Sequence, residues 1–205
     1  MLIDNLKNTY SKGEPIFLDE IKSSSKAYLR QQMKALCDKG ELKRFCNGVY
    51  YLPYKTVLGT EGKMSLDKYI EKRYLRSKNK EEGYITGLGL ANKYGFTTQN
   101  PSIYEVCSNN ATTKQRKLNI DGNNVIVYKP VAKVTDKNIS ALQFLDLMSF
   151  IDKYSELQGD DLRKKLKEFI KNISLDFSEV KKYISKYPDK VYRNIYNGGL
   201  MNELV

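Results

Sequence analysis

Apolar positions along the first fifty residues change period several times, and each change predicts an element. Leu2, Ile3, Leu6 and Tyr10 recur at helical spacing until Lys12-Gly13 closes the stripe. After Pro15 the triplet Ile16-Phe17-Leu18 predicts a brief strand, and Asp19 is placed to cap a one-turn helix from Glu20 to Lys22. Ser23 to Ser25 then make a turn and supply a fresh N-cap for one longer helix, SKAYLRQQMKALCDKG. Its inward face is Leu29, Met33, Leu36 and Cys37 and its stop is Gly40. Glu41 to Phe45 and Val49 to Leu52 are strand-like and meet at Cys46-Asn47-Gly48, whose Asn-Gly pair tolerates the positive φ of a hairpin turn. Helix, short strand, helix, helix, hairpin is the order of a winged helix-turn-helix.

Beyond this the pattern loosens. Tyr54 to Gly62 is a glycine-containing linker, where the domain boundary is expected. Ser65 caps a helix to Arg76, with Leu66, Tyr69, Ile70, Arg73 and Tyr74 inward. Tyr84 to Gly95 reads as a small-residue helix. Ile103 to Cys107, Lys117 to Ile120 and Val125 to Tyr128 read as strands, the last two flanking the turn Asp121 to Asn124. From Ala141 onward the chain is helical. The expected fold is therefore α+β, with an N-terminal winged helix-turn-helix over 1–56. A mixed α/β domain over 63–205 follows, with helices and a small sheet over 63–138 and a helical C-terminal part over 139–205.

Composition narrows the function. The 205 residues contain 35 Lys and Arg against 24 Asp and Glu, and no histidine, which removes His-based nucleophilic devices, imidazole metal sites and imidazole pH switches. Cys37, Cys46 and Cys107 are widely spaced, with no CxxC clamp for zinc or iron, and read as reduced thiols of a cytoplasmic protein. No signal peptide or membrane span is expected. The net charge of +11 favours polyanionic partners. Residues 22–55 carry eight Lys or Arg against two Asp or Glu, and 63–138 carry fourteen against seven.

The basic stretch coincides with the helix and hairpin, where DNA-reading chemistry would sit. Ser25, Lys26, Ala27, Tyr28, Arg30, Gln31 and Lys34 form the expected contact face of the helix, and Lys43 and Arg44 that of the hairpin. Small Ala27 allows close approach. Arg30 and Gln31 suit bidentate contacts to base edges, whereas Lys26, Lys34, Lys43 and Arg44 suit phosphates. A polar helix face is also what any solvated helix shows, so the inference rests on helix and hairpin together.

Other signals fall away. Gly87-Leu88-Gly89 lacks the third glycine of a dinucleotide-binding turn, and no GxxxxGK[ST] occurs. Asp146 with Asp152, or Asp160 with Asp161, could be imagined as carboxylate pairs for a metal, but Asp160-Asp161 reads as the N-terminal charge and cap of a helix. Cys107 and Ser108 have only lysines as candidate bases. Catalytic residues, metal ligands and cofactors are all expected to be none.

Ser25 to Pro53, with Gly48-Val49-Tyr50-Tyr51 closing the hairpin, then Thr86-Gly87, then Ala91-Asn92-Lys93-Tyr94-Gly95-Phe96-Thr97-Thr98-Gln99-Asn100-Pro101, resemble the AbiEi-like antitoxins. The likeness covers roughly 15–150 and is most specific around Gly95, Thr97-Thr98-Gln99 and Pro101. It implies a phage-defence antitoxin that binds double-stranded operator DNA, represses its own operon and counteracts a cognate nucleotidyltransferase-like toxin. It would act as a monomer or weak dimer on DNA and away from membranes. The expected antitoxin surface is Lys93, Gln99, Lys114, Arg116 and Lys117, while Thr97-Thr98-Gln99 reads first as a helix exit and strand entry whose hydroxyls cap backbone groups. The alternatives are a ligand-responsive transcription factor and a nuclease-associated DNA-recognition subunit; for the latter, Glu105, Asp121 and Asp136 are too scattered.

Overall fold

The computed structural model describes residues 1–204, and its fold is α+β. The chain forms two compact units, Met1–Lys72 and Arg73–Val205.

In the first unit, α1 (Leu2–Thr9) buries Ile3 and Leu6, and β1 is the two-residue strand Ile16–Phe17. The expected one-turn helix at Glu20–Lys22 is instead a turn, closed by Glu20 N–H donating to Phe17 O at 3.1 Å. α2 (Lys26–Asp38) starts where Ser25, in extended backbone, accepts a 3.3 Å bond from Tyr28 N–H on its Oγ. It stops where Gly40, at φ +72°, lets Gly40 N–H reach Cys37 O and Glu41 N–H reach Leu36 O, both at 2.9 Å. Leu29 and Met33 are its buried positions, joining Ile3, Leu6, Ile16, Leu42, Tyr50 and Leu52 in one core. Truncating Met33 there would cost about 2–5 kcal/mol.

β2 (Lys43–Cys46) and β3 (Val49–Tyr51) form the hairpin, and with β1 they make an antiparallel sheet ordered β1-β3-β2. Only Gly48 of the turn is left-handed, at φ +74°; the pairing slips between Arg44 and Cys46 instead of using positive φ at both turn residues. β4 (Tyr54–Lys55) and β5 (Glu61–Gly62) pair as a second small hairpin where a linker was expected. α3 (Leu66–Ile70), capped by Ser65 as expected, widens into a π-helical turn over Glu71–Leu75.

The division between the units falls within that last element, some ten residues beyond the boundary read from the sequence. Tyr69 explains the shift: its ring packs edge-on against Phe17 at 5.5 Å and lies tilted against Phe45 at 6.0 Å. Lys72 Nζ likewise donates to Glu14 Oε1 at 2.7 Å and to Pro15 O at 2.8 Å. Residues 63–72, assigned by sequence to the second domain, thus complete the first.

The second unit opens with a small hairpin, β6 (Arg76–Ser77) and β7 (Lys80–Glu81), followed by β8 (Gly83–Ile85) and α4 (Gly87–Lys93). Tyr84 and Ile85 are therefore strand, not the first turn of a helix. β9 (Ile103–Ser108), β10 (Gln115–Ile120) and β11 (Asn123–Tyr128) complete a four-stranded sheet ordered β10-β11-β9-β8, in which only β11 and β9 are parallel. The β10–β11 turn places Asp121 and Gly122 both at positive φ, the geometry its sequence predicts. α5 (Ile139–Tyr154) is the central helix, with seven buried positions, and α6 (Gly159–Asn172), α7 (Phe177–Tyr183) and α8 (Lys190–Asn197) pack with it in one apolar core. Among the described residues no helix is long and apolar enough to cross a membrane.

Candidate nucleic-acid interface

Burying Leu29 and Met33 turns the other side of α2 to solvent, and Ala27, Tyr28, Arg30, Gln31 and Lys34 are all exposed there, Tyr28 at 60%. Arg30 and Lys34 lie one turn apart and line a cleft of about 410 Å³ whose other wall is the β2–β3 hairpin, with Arg44, Asn47 and Gly48. Asp38 is the carboxylate among the lining residues. Like charges at i and i+4 disfavour a helix by about 0.2–0.5 kcal/mol, so this pairing opposes folding slightly and favours an anion between helix and hairpin. Neither Arg30, Gln31 nor Lys34 has an intramolecular polar partner among the described residues.

The other four candidates are engaged. Ser25 caps α2, and Ser23 Oγ donates to Ser25 O at 3.0 Å. Lys26 Nζ donates to Ile21 O at 2.8 Å and Leu18 O at 3.3 Å, fastening the turn before the helix to its first residue. Arg44 is held by Cys46 O at 3.3 Å through Nε and by Asn47 Oδ1 at 3.0 Å through Nη2, which fixes its guanidinium at the cleft while leaving Nη1 uncommitted in these bonds. Lys43 points elsewhere, because successive side chains of a strand face opposite ways. It pairs with Glu61 of β5 at 2.8 Å, and that hydrogen bond holds its ammonium pKa above the ordinary lysine value. The sequence doublet Lys43-Arg44 is therefore divided between two faces of the hairpin. Asn47 was missed as a site residue. Its signal was read only as a turn preference, although its side chain orients Arg44.

In the second unit, Thr97-Thr98-Gln99 is an anchor for one carboxylate. Glu156 accepts from Thr98 N–H at 2.9 Å, Thr97 Oγ1 at 2.8 Å and Thr98 Oγ1 at 3.0 Å, while Gln99 N–H donates to Thr97 Oγ1 at 3.1 Å. The Thr98 backbone bond, first among these, holds Glu156 below the usual carboxylate range. The Gln99 and Lys93 side chains remain exposed at the exit of α4. Lys114, Arg116 and Lys117 are exposed on and beside the edge strand β10, which β11 and β9 separate from β8 in the sheet. The five residues thus lie on two elements.

A cavity of about 320 Å³ in the second unit was not foreseen. At its base Asp146 Oδ2 accepts from Thr86 Oγ1 at 3.0 Å and from Cys107 Sγ at 3.3 Å. Burial pushes the Asp146 carboxyl up against the lowering effect of these bonds, and it pushes the Cys107 thiol up as well. Glu105 lines the same cavity, accepting from Tyr128 Oη at 2.9 Å. In the sequence Asp146 is weighed only as a metal partner of Asp152; the signal for the cavity is its place as the one carboxylate in the mostly apolar stretch Leu142 to Met148. Compared with models of known protein families and with curated proteins, the chain matches none.

Proposed function

We propose that this protein is a DNA-binding autorepressor and the antitoxin of a phage-defence toxin/antitoxin pair. In this reading Met1–Lys72 is a winged helix-turn-helix that reads operator DNA and the second unit counteracts a nucleotidyltransferase-like toxin. It works without catalysis, in the cytoplasm. The observation that carries the DNA-binding half is the unpartnered stripe Arg30-Gln31-Lys34, of which Arg30 and Lys34 line one cleft with the immobilised Arg44. The sheet order β1-β3-β2 after a first helix also fits a winged helix, with the usual middle helix reduced to the turn at Leu18–Glu20. α2 would enter the major groove by its exposed N-terminal turns, with Gln31 and Arg30 at base edges, Ala27 permitting approach, and Lys34 and Arg44 on flanking phosphates.

The antitoxin half rests on the resemblance around Ala91 to Pro101. With Thr97, Thr98 and Gln99 all turned onto Glu156, that stretch shapes the second unit; Lys93, Lys114, Arg116 and Lys117 are the groups left to meet a toxin, with the exposed Gln99 beside them. A reporter fused to the DNA upstream of the protein's own gene tests the reading. Supplying the protein should repress it, and supplying the Arg30→Ala, Lys34→Ala variant should not. Equal expression with and without the wild-type protein would remove autorepression from the account.

A further inference from the structure

The cavity of the second unit has a charge order that the DNA-binding reading does not use. One stripe of α5 runs along it: Asp146 lies deep, Phe150 one turn on, and Lys153 at the mouth. Two turns of helix separate first from last by about 10 Å. Glu105 supplies a second carboxylate, pressed against Gly87 so closely that a Cβ at Gly87 would collide with it; Gly87, at φ +64°, leaves the room. Among the described residues no protein cation is ion-paired with Asp146 or Glu105. Behind Asp146 and Cys107 sits Tyr84, the cross-strand partner of Cys107, 3% exposed and outside the lining of the cavity. A buried carboxylate whose donors are all neutral is costly unless a cation meets it. The walls between floor and mouth include Tyr128, Phe150 and Tyr154, faces on which a delocalised cation stacks favourably. At the rim Lys153 and Lys129 are exposed, Lys153 Nζ lying 4.7 Å from the centre of the Tyr154 ring.

We infer that this cavity binds a small zwitterion of the basic amino acid class, its guanidinium or ammonium end at Asp146 and Glu105 and its carboxylate end at Lys129 and Lys153. A metal ion is the weaker fit, because among the described residues no three Cys, Asp or Glu groups converge closely enough to hold one. A planar guanidinium matches two carboxylates bidentately and lies flat on the aromatic wall, so arginine fits better than lysine. An apolar chain of three methylenes between the charged ends suits the depth of the cavity. The inference does not depend on DNA binding.

The test is calorimetric and NMR titration of the full-length protein, without DNA, using L-arginine and two near-isosteres. L-citrulline replaces the guanidinium by a neutral urea, and agmatine lacks the carboxylate. The expected result is binding of L-arginine with a Kd at or below about 1 mM. Citrulline should bind at least about tenfold more weakly, agmatine several-fold more weakly, and shift changes should cluster at Thr86, Asp146 and Lys153. Asp146→Asn should abolish the preference for arginine over citrulline, with Glu105→Gln as the second variant should the first fail to fold. No arginine binding, or equal affinity for citrulline, overturns the site. Agmatine and an acetylated, amidated arginine binding as well as the free amino acid would overturn the role of the rim and make the occupant an arginine side chain of another protein.

Discussion

Arg30, Gln31, Lys34 and Arg44 separate into two kinds of contact. Gln31 and Arg30 carry the donor and acceptor sets that distinguish base pairs, so Gln31→Ala or Arg30→Ala should relax sequence preference by about 1–3 kcal/mol per lost bidentate contact. Competition binding between operator and random duplex measures this, and full discrimination in both variants would mean that another face of α2 reads the DNA. Arg44 and Lys43 should behave differently from one another, although they are adjacent in sequence. Arg44→Ala removes a guanidinium fixed in the cleft by Asn47 and Cys46, and should weaken binding to every duplex. Lys43→Ala removes an ion pair with Glu61 that faces away, and should leave affinity nearly unchanged. Comparable losses in the two variants would contradict the division of the doublet. The spacing of the α2 core and the exposure of its polar stripe could be read from helical periodicity alone. The separation of Lys43 from Arg44 was also present as strand alternation, but a pair of neighbouring cations reads more readily as one patch than as two faces.

Among the elements, α1, α2, the β2–β3 hairpin and the β10–β11 turn were legible because each depends on local chemistry: a serine cap, a glycine stop, two residues tolerating positive φ. What was not legible depended on distant partners. Tyr84 and Ile85 carry a helix-compatible pattern, yet pairing with Cys107 and Val106 makes them strand. Glu156 lies almost sixty residues from the threonines it anchors, so no window of sequence joins them. That anchor has a pH signature. The folded-state pKa of Glu156 is depressed, so its stabilising contribution is present above the ordinary carboxylate pKa and is lost as pH falls through the folded value. Glu156→Gln should therefore melt below the wild type at neutral pH, and the two melting temperatures should converge on acidification. A gap that stays constant from neutral to acid pH would show that the bonds to Thr97 and Thr98 do not depend on the charge.

For the whole molecule, the two units divide the chemistry between a basic cleft in Met1–Lys72 and a charge-ordered cavity in Arg73–Val205. The total charge of +11 could not reveal this, because it averages over a cleft lined by Arg30, Lys34 and Arg44 and a cavity lined at its floor by Asp146 and Glu105. The central claim is that the first unit binds duplex DNA through Arg30, Lys34 and Arg44. Its most direct test is the salt dependence of affinity for a labelled duplex from upstream of the protein's own gene, measured for the wild type and for the Lys34→Ala, Arg44→Ala variant. Each phosphate neutralised contributes about −0.9 to the log-log slope. The wild type should bind the upstream duplex in preference to random DNA, with a steep negative slope that becomes shallower by about 1 to 2 in the variant. An unchanged slope, or equal affinity for upstream and random DNA in the wild type, would contradict it.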